Sequence, residues 1–459
     1  MTKSRKPAVL VLSDAYLPGY KSGGPIRTLA NMVEQLGDEF AFLIATRNRE
    51  IHGSVPYPNC PTATWRNLGK AKVIYFSPRQ WTLPMARRVV KDAKCDIIYL
   101  NSVFSTDYTI CPLLLRVSHR IPPAPIILAP RGELSPGALR IKRIKKAAFL
   151  QLMLRFGLYR NVRWQATTVE EEADIRRWFG EKALISIAPN LRSCHDGAVR
   201  VPAARKQSGE ASIVFLSRIS RMKNLDGALR LLAGVRGRVA FHIYGPEEDA
   251  AYWDECTRII AALPNNIRVE YHGAVQNDKV PETLAAHDLF LLPTLGENFG
   301  HVLLEALLAG LPVVTSDRTP WRELTAKRVG FDLPLERPDA FQAAIQQFVD
   351  MDEARYRQWS ESARRYGRQV ATDPSVVEAN RKLFLTVLAE SATGRQPLGR
   401  SSPAFRSAGL RGGDLEKESH RGLPIATVEL QGPKDSSLHA DVRSPQDLGE
   451  GSRATPHAA

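Results

Sequence analysis

Between residues 8 and 189 the chain alternates short, β-branched apolar runs with amphipathic stretches of helical length. The runs are AVLVLS, FAFLIAT, KVIYF, DIIYLNS, PIILAP, RWQATTV and LISIAP. Residues 211–316 repeat the arrangement with SIVFLS, VAFHIYG, RVEYHG, DLFLLPT and PVVTS. Runs that are apolar throughout belong to strands buried on both faces, and the helical spacers supply the covering layers. The pattern predicts an α/β protein with two doubly wound, Rossmann-like domains facing one another, at 1–190 and 211–370. A polar, glycine-containing segment, 191–210, links them. Further helical patterns fall at 338–349, 352–370 and 375–390. The last of these gives a terminal helix within 371–390.

Composition changes this picture only at the end of the chain. A length of 459 residues suits two to three domains, since single cores rarely grow beyond about 250–300 residues. From Ser391 onward the only aromatic is Phe405, and Gly, Pro, Ser and charges of both signs dominate. Such a segment cannot bury enough apolar surface to fold, so 391–459 is expected to be a disordered tail. No apolar run reaches the ~18 residues of a membrane span. The start, MTKSRKPAVLVLSDAY, has the basic-then-apolar order of a signal peptide. Its apolar run stops at Ser13 and Asp14, short of the ~7–15 residues required, so it is assigned to the first strand. Five scattered cysteines without a C-x-x-C spacing argue against a zinc site or disulfide framework and fit a reducing cytosol.

The net charge of +15 is concentrated. Residues 131–163 hold nine Arg and Lys against a single acid, Glu133. Such density points to phosphate, an anionic membrane surface or nucleic acid. Within it, 138–161 places Ile141, Ile144, Ala148 and Leu152 on one helical stripe surrounded by Arg and Lys. The plain interpretation is a first-domain helix with solvated charges. The share of the net charge located here favours an interfacial helix on anionic lipid.

The chemistry-bearing motif is GENFGHVLLEALLAG, 296–310, which follows the strand DLFLLPT. Its helix should be buried nearly all round, which makes Glu305 costly unless something pairs with it. A glycine-bounded loop leading into a helix after a parallel strand presents free N–H groups to an anion. Phe299, Gly300 and His301 would offer them. Glu297 and Glu305 are placed to accept hydrogen bonds from vicinal hydroxyls such as those of a ribose. The alternative is a helix-start acid and a paired structural acid. Two further pieces bear on the choice. SIVFLSRISRMKN puts Arg218 and Lys223 at a strand–helix turn, where two cations neutralise a diphosphate. KSGGPIRTLANMVEQL opens a helix with Gly23 and Gly24, which let backbone approach a phosphate closely. Taken singly, these are also what solvated charges and an ordinary turn look like.

Together the three pieces resemble family-4 glycosyltransferases, retaining enzymes of the GT-B fold. The resemblance runs over about 8–390, is strongest over 211–316, and includes HIYGPEE, the HGAV turn and APN at the junction. It implies that Glu305 takes the ribose hydroxyls and Glu297 the donor-sugar hydroxyls. It also implies that Arg218 and Lys223 hold the diphosphate, with Glu297, Arg218 and Lys223 the catalytic set. Gly23 and Gly24 would close over the diphosphate, Asn298, Phe299 and Gly300 would line the donor, and Gly273–Val275 would pack on the base. Where many members carry a histidine, this chain has Arg131-Gly132-Glu133, so Arg131 and Glu133 are sugar-side or acceptor-side candidates. The junction reads Pro189-Asn190-Leu191 where a glycine often follows the asparagine. His242, His272 and His301 lie nearest the expected site, and none is assigned as a base.

Asp350-Met351-Asp352 matches the D-x-D by which another glycosyltransferase fold binds a cation. It lies between helical patterns rather than after a strand, and Asp352 is expected to cap the following helix. No metal or cofactor is therefore expected. The expected partners are a nucleotide-diphosphate sugar and a saccharide, or lipid-linked saccharide, acceptor in polysaccharide synthesis. The expected location is the cytoplasm, peripheral on the inner face of the cytoplasmic membrane through 138–161. Two rivals remain. A GT-B-fold nucleotide-sugar epimerase needs acid/base groups that the first domain does not supply. A nucleic-acid binder leaves Glu297 and Glu305 unexplained and lacks aromatics interleaved in the basic stretch.

Overall fold

The computed structural model describes residues 5–51, 53–140, 143–193 and 206–393. Eight strands form the first sheet: β1 (Ala8–Leu12), β2 (Ala41–Arg47), β3 (Arg66–Leu68), β4 (Ala71–Phe76), β5 (Ile97–Asn101), β6 (Ile126–Ala129), β7 (Val162–Ala166) and β8 (Leu184–Ile187). Their order is β3-β4-β2-β1-β5-β6-β7-β8, parallel except where β3 runs antiparallel to β4. Six strands form the second: β9 (Glu210–Leu216), β10 (Arg238–Tyr244), β11 (Ile267–Tyr271), β12 (Leu289–Leu292), β13 (Val313–Ser316) and β14 (Gly330–Leu333). That sheet is wholly parallel, ordered β11-β10-β9-β12-β13-β14.

The central strands β1, β5, β6 and β12 are buried at every position, as runs covered by helices on both faces must be. The apolar pattern announces every strand except β3 and β14. β3 is three residues long with no fully buried position, and β14 buries only Gly330 completely, so neither carries a periodic signal.

The two domains are tied by their last helices. Glu353–Ala371 packs on the second domain, where Gly367 lies so close to the helix His301–Leu308 that an added Cβ would meet Leu308 N at 2.8 Å. Asp352 caps it, accepting a hydrogen bond from Arg355 N at 2.8 Å. The chain then crosses back. Helix Pro374–Ala392 buries Val376, Leu383, Phe384 and Val387 in the first domain's core. Phe384 meets the rings of Phe40, Phe42 and Tyr99 at 5.2, 6.2 and 6.0 Å. At the surface, Arg381 pairs with Glu39 at 2.7 Å.

This helix extends to Ala392, two residues past the expected end. The tail expected to be disordered and most of the linker, 194–205, lie outside the described residues. Replacing Phe384 with Ala empties an aromatic cluster and should cost about 3–5 kcal/mol. Deleting everything after Thr393 should leave urea unfolding unchanged. A midpoint unmoved by Phe384→Ala would show that the crossing helix does not hold the first domain together.

Candidate functional site

The carboxyl ends of both sheets open on one cleft of about 1640 Å³. The loops after β1, β6 and β7 line it from the first domain, and loops after every strand of the second domain line it from the other side. Parallel strands put all these loops, with the helix N-termini that follow them, on one edge, where polar ligands bind in open α/β sheets.

Glu305 sits on the helix His301–Leu308, which begins at Gly300 in the left-handed region (φ 76°). The helix is not buried all round. Leu303, Leu304, Ala306 and Leu307 face the core, whereas His301, Val302 and Glu305 line the cleft. The partner of Glu305 is a guanidinium: Arg27, from the first-domain helix Gly24–Leu36, pairs with its Oε1. Arg27 also donates to Asn277 Oδ1 at 3.1 Å. Burial lowers the Arg27 pKa to about 10, so the guanidinium stays charged at neutral pH. The other carboxylate oxygen, Oε2, is buried without a hydrogen-bond partner among the described residues. One lone pair set of Glu305 is thus neutralised across the domain boundary, and the other remains available as an acceptor.

Lys223 and Glu297, 74 residues apart, form a direct ion pair with both side chains largely buried. Lys223 ends a short 3₁₀ turn after β9, and Glu297 lies in the loop after β12. β9 and β12 are adjacent in the sheet, which is what brings the two charges together. On the other side of β9, Arg218 donates to Glu248 Oε1 at 2.7 Å, from the loop after β10. All four residues line the cleft. The Gly273–Val275 turn begins at Gly273 (φ 73°), whose carbonyl accepts from Gly245 N at 2.7 Å, and Val275 faces the cleft.

From the first domain, Gly23 (φ 63°) requires a residue without Cβ, and Gly24 lies against His301, with an added Cβ 3.6 Å from its Cδ2. Thr28 Oγ1 and His301 Nε2 are 2.9 Å apart. Asn298 accepts from Thr167 Oγ1 at 2.6 Å and packs on Gly132, so it bridges the domains. The Phe299 carbonyl accepts from Trp321 Nε1 at 2.6 Å, and its ring lies beside Arg192.

Arg131 and Glu133 border the cleft, but their charged groups are committed to the protein. Arg131, itself at φ 57°, donates to Asn101 Oδ1 at 2.8 Å, to Tyr99 Oη at 2.6 Å and to Asn190 Oδ1. Tyr99 donates to Gln165 Oε1 at 2.5 Å, and Gln165 reaches Ala188 O at 2.8 Å and Asn380 Oδ1 at 3.1 Å. Arg131 therefore braces the junction and the crossing helix. Glu133 accepts from Ser102 Oγ at 2.8 Å and Val103 N at 2.6 Å, with its pKa raised by burial. Both fix the loop after β6. Asp350 accepts from Gln346 Nε2 at 2.9 Å and, like Asp352, does not line the cleft.

Sequence reasoning missed Arg27. It sits in the stretch quoted for its glycines, three positions into the helix they open, but nothing local identifies a partner 278 positions away. It also missed Glu171, which accepts from Gly132 N at 2.6 Å and Thr167 N at 2.7 Å and holds two cleft loops together.

Comparison with known proteins agrees with this architecture. Residues 201–366 match the family described as Glycosyl transferases group 1. The sulfoquinovosyl transferase SQD2 of Arabidopsis thaliana is 22% identical over 342 residues, 69% of this chain and 60% of its own length. A GDP-mannose-dependent alpha-mannosyltransferase of Mycobacterium tuberculosis is 31% identical over 128 residues, 28% of this chain and 31% of its own. The chain thus spans less than two thirds of these relatives. Among solved structures, sucrose-phosphate synthase from Thermosynechococcus elongatus aligns with a TM-score of 0.62 at 18% identity, covering 84% of this chain and all of that one. WaaG, a glycosyltransferase involved in lipopolysaccharide biosynthesis, aligns at 0.60 and 15%, covering 82% and 99%. Anabaena HepE in complex with UDP and glucose aligns at 0.58 and 18%, covering 83% and 100%. The shared fold is GT-B: two doubly wound domains across a cleft.

His301 supplies a test of the closed interface. Burial, and then the charges of Arg27, Arg131 and Arg192, lower its pKa from 6.5 to about 3. The unfolded chain therefore binds a proton below pH 6.5 that the folded chain refuses, and stability is lost as pH falls through that window. The stability advantage of wild type over His301→Gln should be largest above pH 6.5 and shrink at pH 5. An equal gap in urea midpoint at both pH values would show that His301 titrates freely.

Proposed function

We propose that this protein, whose second domain is a group 1 glycosyl transferase domain, transfers a hexose from a nucleoside-diphosphate sugar to a saccharide acceptor with retained anomeric configuration. The observation that carries this reading is Glu305 Oε2, a buried acceptor on the cleft wall with no hydrogen-bond partner among the described residues, on a carboxylate whose other oxygen is held by Arg27. A buried acceptor left unsatisfied costs about 1–3 kcal/mol, and a ribose hydroxyl supplies the missing donor without disturbing Arg27. In this reading the base packs on Gly273–Val275, and Arg218 and Lys223 meet the diphosphate. Glu297, oriented by Lys223, accepts from the donor-sugar hydroxyls. The Gly23–Gly24 loop covers the phosphates, and Asn298 and Gly300 shape the sugar pocket. Charge that grows on the leaving diphosphate falls beside fixed cations, the arrangement that stabilises a transition state more than a ground state. No divalent ion is assigned to that step. The UDP-bound Anabaena protein and the GDP-mannose-dependent relative support the donor class.

The acceptor is proposed to be lipid-linked, in surface or exported polysaccharide synthesis, with the protein peripheral on the cytoplasmic membrane face. On the helix Arg143–Arg155 and just beyond it, Ile144, Leu152 and Phe156 are 84%, 49% and 62% exposed. Lys145, Arg155 and Arg160 are exposed around them. The helix is anchored by buried Leu150 and by Phe149 against Phe104 at 5.9 Å. Pro136–Ala138 and Lys146 line the cleft, so this segment stands at the cleft mouth. No described helix is long and apolar enough to cross a membrane.

Two measurements check these proposals. Glu305→Gln turns one carboxylate oxygen into an amide donor. It should weaken nucleotide-sugar binding by about 1.5–3 kcal/mol in a thermal-shift or calorimetric titration against UDP-, GDP-, ADP- and dTDP-sugars. Unchanged affinity would remove Glu305 from the ribose. Lys223→Ala should lower kcat more than it raises KM, in buffer containing neither Mg²⁺ nor Mn²⁺.

For the membrane face, wild type should sediment with anionic vesicles at low salt and be released near 1 M, where the Debye length is about 3 Å. The double variant Lys145→Glu/Arg155→Glu should bind far more weakly, at about 1 kcal/mol per basic residue even before the reversal of sign is counted. It should keep full activity on a short soluble acceptor. Loss of soluble activity without any vesicle binding by wild type would instead place this helix in the acceptor cleft.

A further inference from the structure

A second cluster of chemistry-bearing side chains lies on the second sheet, among residues that do not line the cleft. His242 on β10 is the direct parallel neighbour of Glu270 on β11, and His272 follows β11 by one position. Glu270 and His272 are two apart, so an extended backbone turns both side chains to the same face. His242 Nδ1 and His272 Nε2 are 3.0 Å apart. Glu270 Oε2 lies 3.6 Å from the first and 3.7 Å from the second. The other oxygen, Oε1, is held by Arg268 at 2.9 Å. One ligand atom from each of the three residues lies within 4.8 Å of the others. Tyr244 stacks on His272 with centroids 4.5 Å apart, which restrains that ring. Against His242, at 4.7 Å between centroids, lies His287, which is buried. Its Nδ1 is 2.8 Å from Ser212 Oγ, and its Nε2 has no hydrogen-bond partner among the described residues.

We propose that His242, Glu270 and His272 bind a divalent transition-metal ion of the zinc class. Two imidazole nitrogens and one carboxylate oxygen form the borderline donor set that such ions prefer over the hard cations Mg²⁺ and Ca²⁺. Three protein donors leave a fourth position for water. Two of the ligands stand on adjacent, hydrogen-bonded strands, so much of the ordering that metal binding requires is already done by the sheet. The ion would be structural in its effect on the cleft rather than a reactant there. His272 directly precedes Gly273, and its N–H donates to Ile243 O at 2.9 Å. The turn it anchors presents Ala274 and Val275 to the cleft. An ion joining β10 to the end of β11 would therefore clamp the turn proposed to carry the base.

The test is isothermal titration of ZnCl₂ into the full-length protein after dialysis against chelator, with Co²⁺ as an optical probe. Wild type should take up one tightly held Zn²⁺ and develop visible Co²⁺ absorption. His272→Ala, at an exposed position, and Glu270→Gln should each weaken Zn²⁺ binding by roughly tenfold or more and abolish the Co²⁺ band. Both variants should melt like wild type in the absence of metal, which separates lost ligands from lost fold. Equal Zn²⁺ affinity in wild type and both variants would assign binding to other histidines and overturn the proposal, as would no binding to wild type. Nucleotide-sugar binding is not a readout, so failure of the donor assignment leaves this outcome unaffected.

Discussion

A carboxylate on a helix whose other face is core must find a positive partner, and Glu305 finds Arg27 on the opposite domain. Both side chains are less than a fifth exposed, so neither charge is well solvated. Pairs of this kind contribute little net stability, because desolvation offsets the Coulomb attraction, yet removing one partner is expensive. The consequence is specificity of arrangement. The charge of Glu305 is paired only while the first-domain helix Gly24–Leu36 sits across the cleft, where Thr28 also meets His301 and Gly24 packs against it. The register between the two domains is thus written in polar contacts at the cleft. The apolar work of joining them is done elsewhere, by the helix Pro374–Ala392 in the first-domain core.

Within the second domain a topological fact does comparable work. The sheet order interleaves β9 between β10 and β12, although β12 follows β9 by some 70 residues in the chain. Loops that are distant in sequence therefore become neighbours at the sheet edge. Arg218 and Lys223 flank β9's exit and are met from one side by Glu248 and from the other by Glu297. Each cation is held by an acid that fixes its direction. In the proposed reading, charge preorganised in this way needs no rearrangement when a phosphate arrives.

The first domain uses its charges differently. Arg131 and Glu133 occupy the place where a reacting or sugar-contacting group was expected, but their partners are Asn101, Tyr99, Asn190, Ser102 and the Val103 amide. The network continues through Gln165 to Asn380 on the crossing helix. These polar groups are buried or half-buried and paired with one another, so they rigidify the loop after β6 and the interdomain junction. A loop motif thus carries two meanings, contact or support, that only neighbouring side chains distinguish.

Much of this protein was legible in its residues because the signals are local and periodic. Continuous apolar runs separated by amphipathic spacers marked twelve strands and the doubly wound architecture, while β3 and β14, short and half-exposed, left no pattern. The GENFGHVLLEALLAG helix, the Gly23–Gly24 turn and the cations after β9 were also visible, since glycine, charge and strand ends are properties of a few consecutive positions. What only the tertiary structure decided was pairing. That Glu305 meets Arg27, Lys223 meets Glu297, Arg131 turns inward and His242, Glu270 and His272 converge depends on sheet order and domain approach. Those are set by the burial of whole faces against one another, a sum over many residues that no short stretch records.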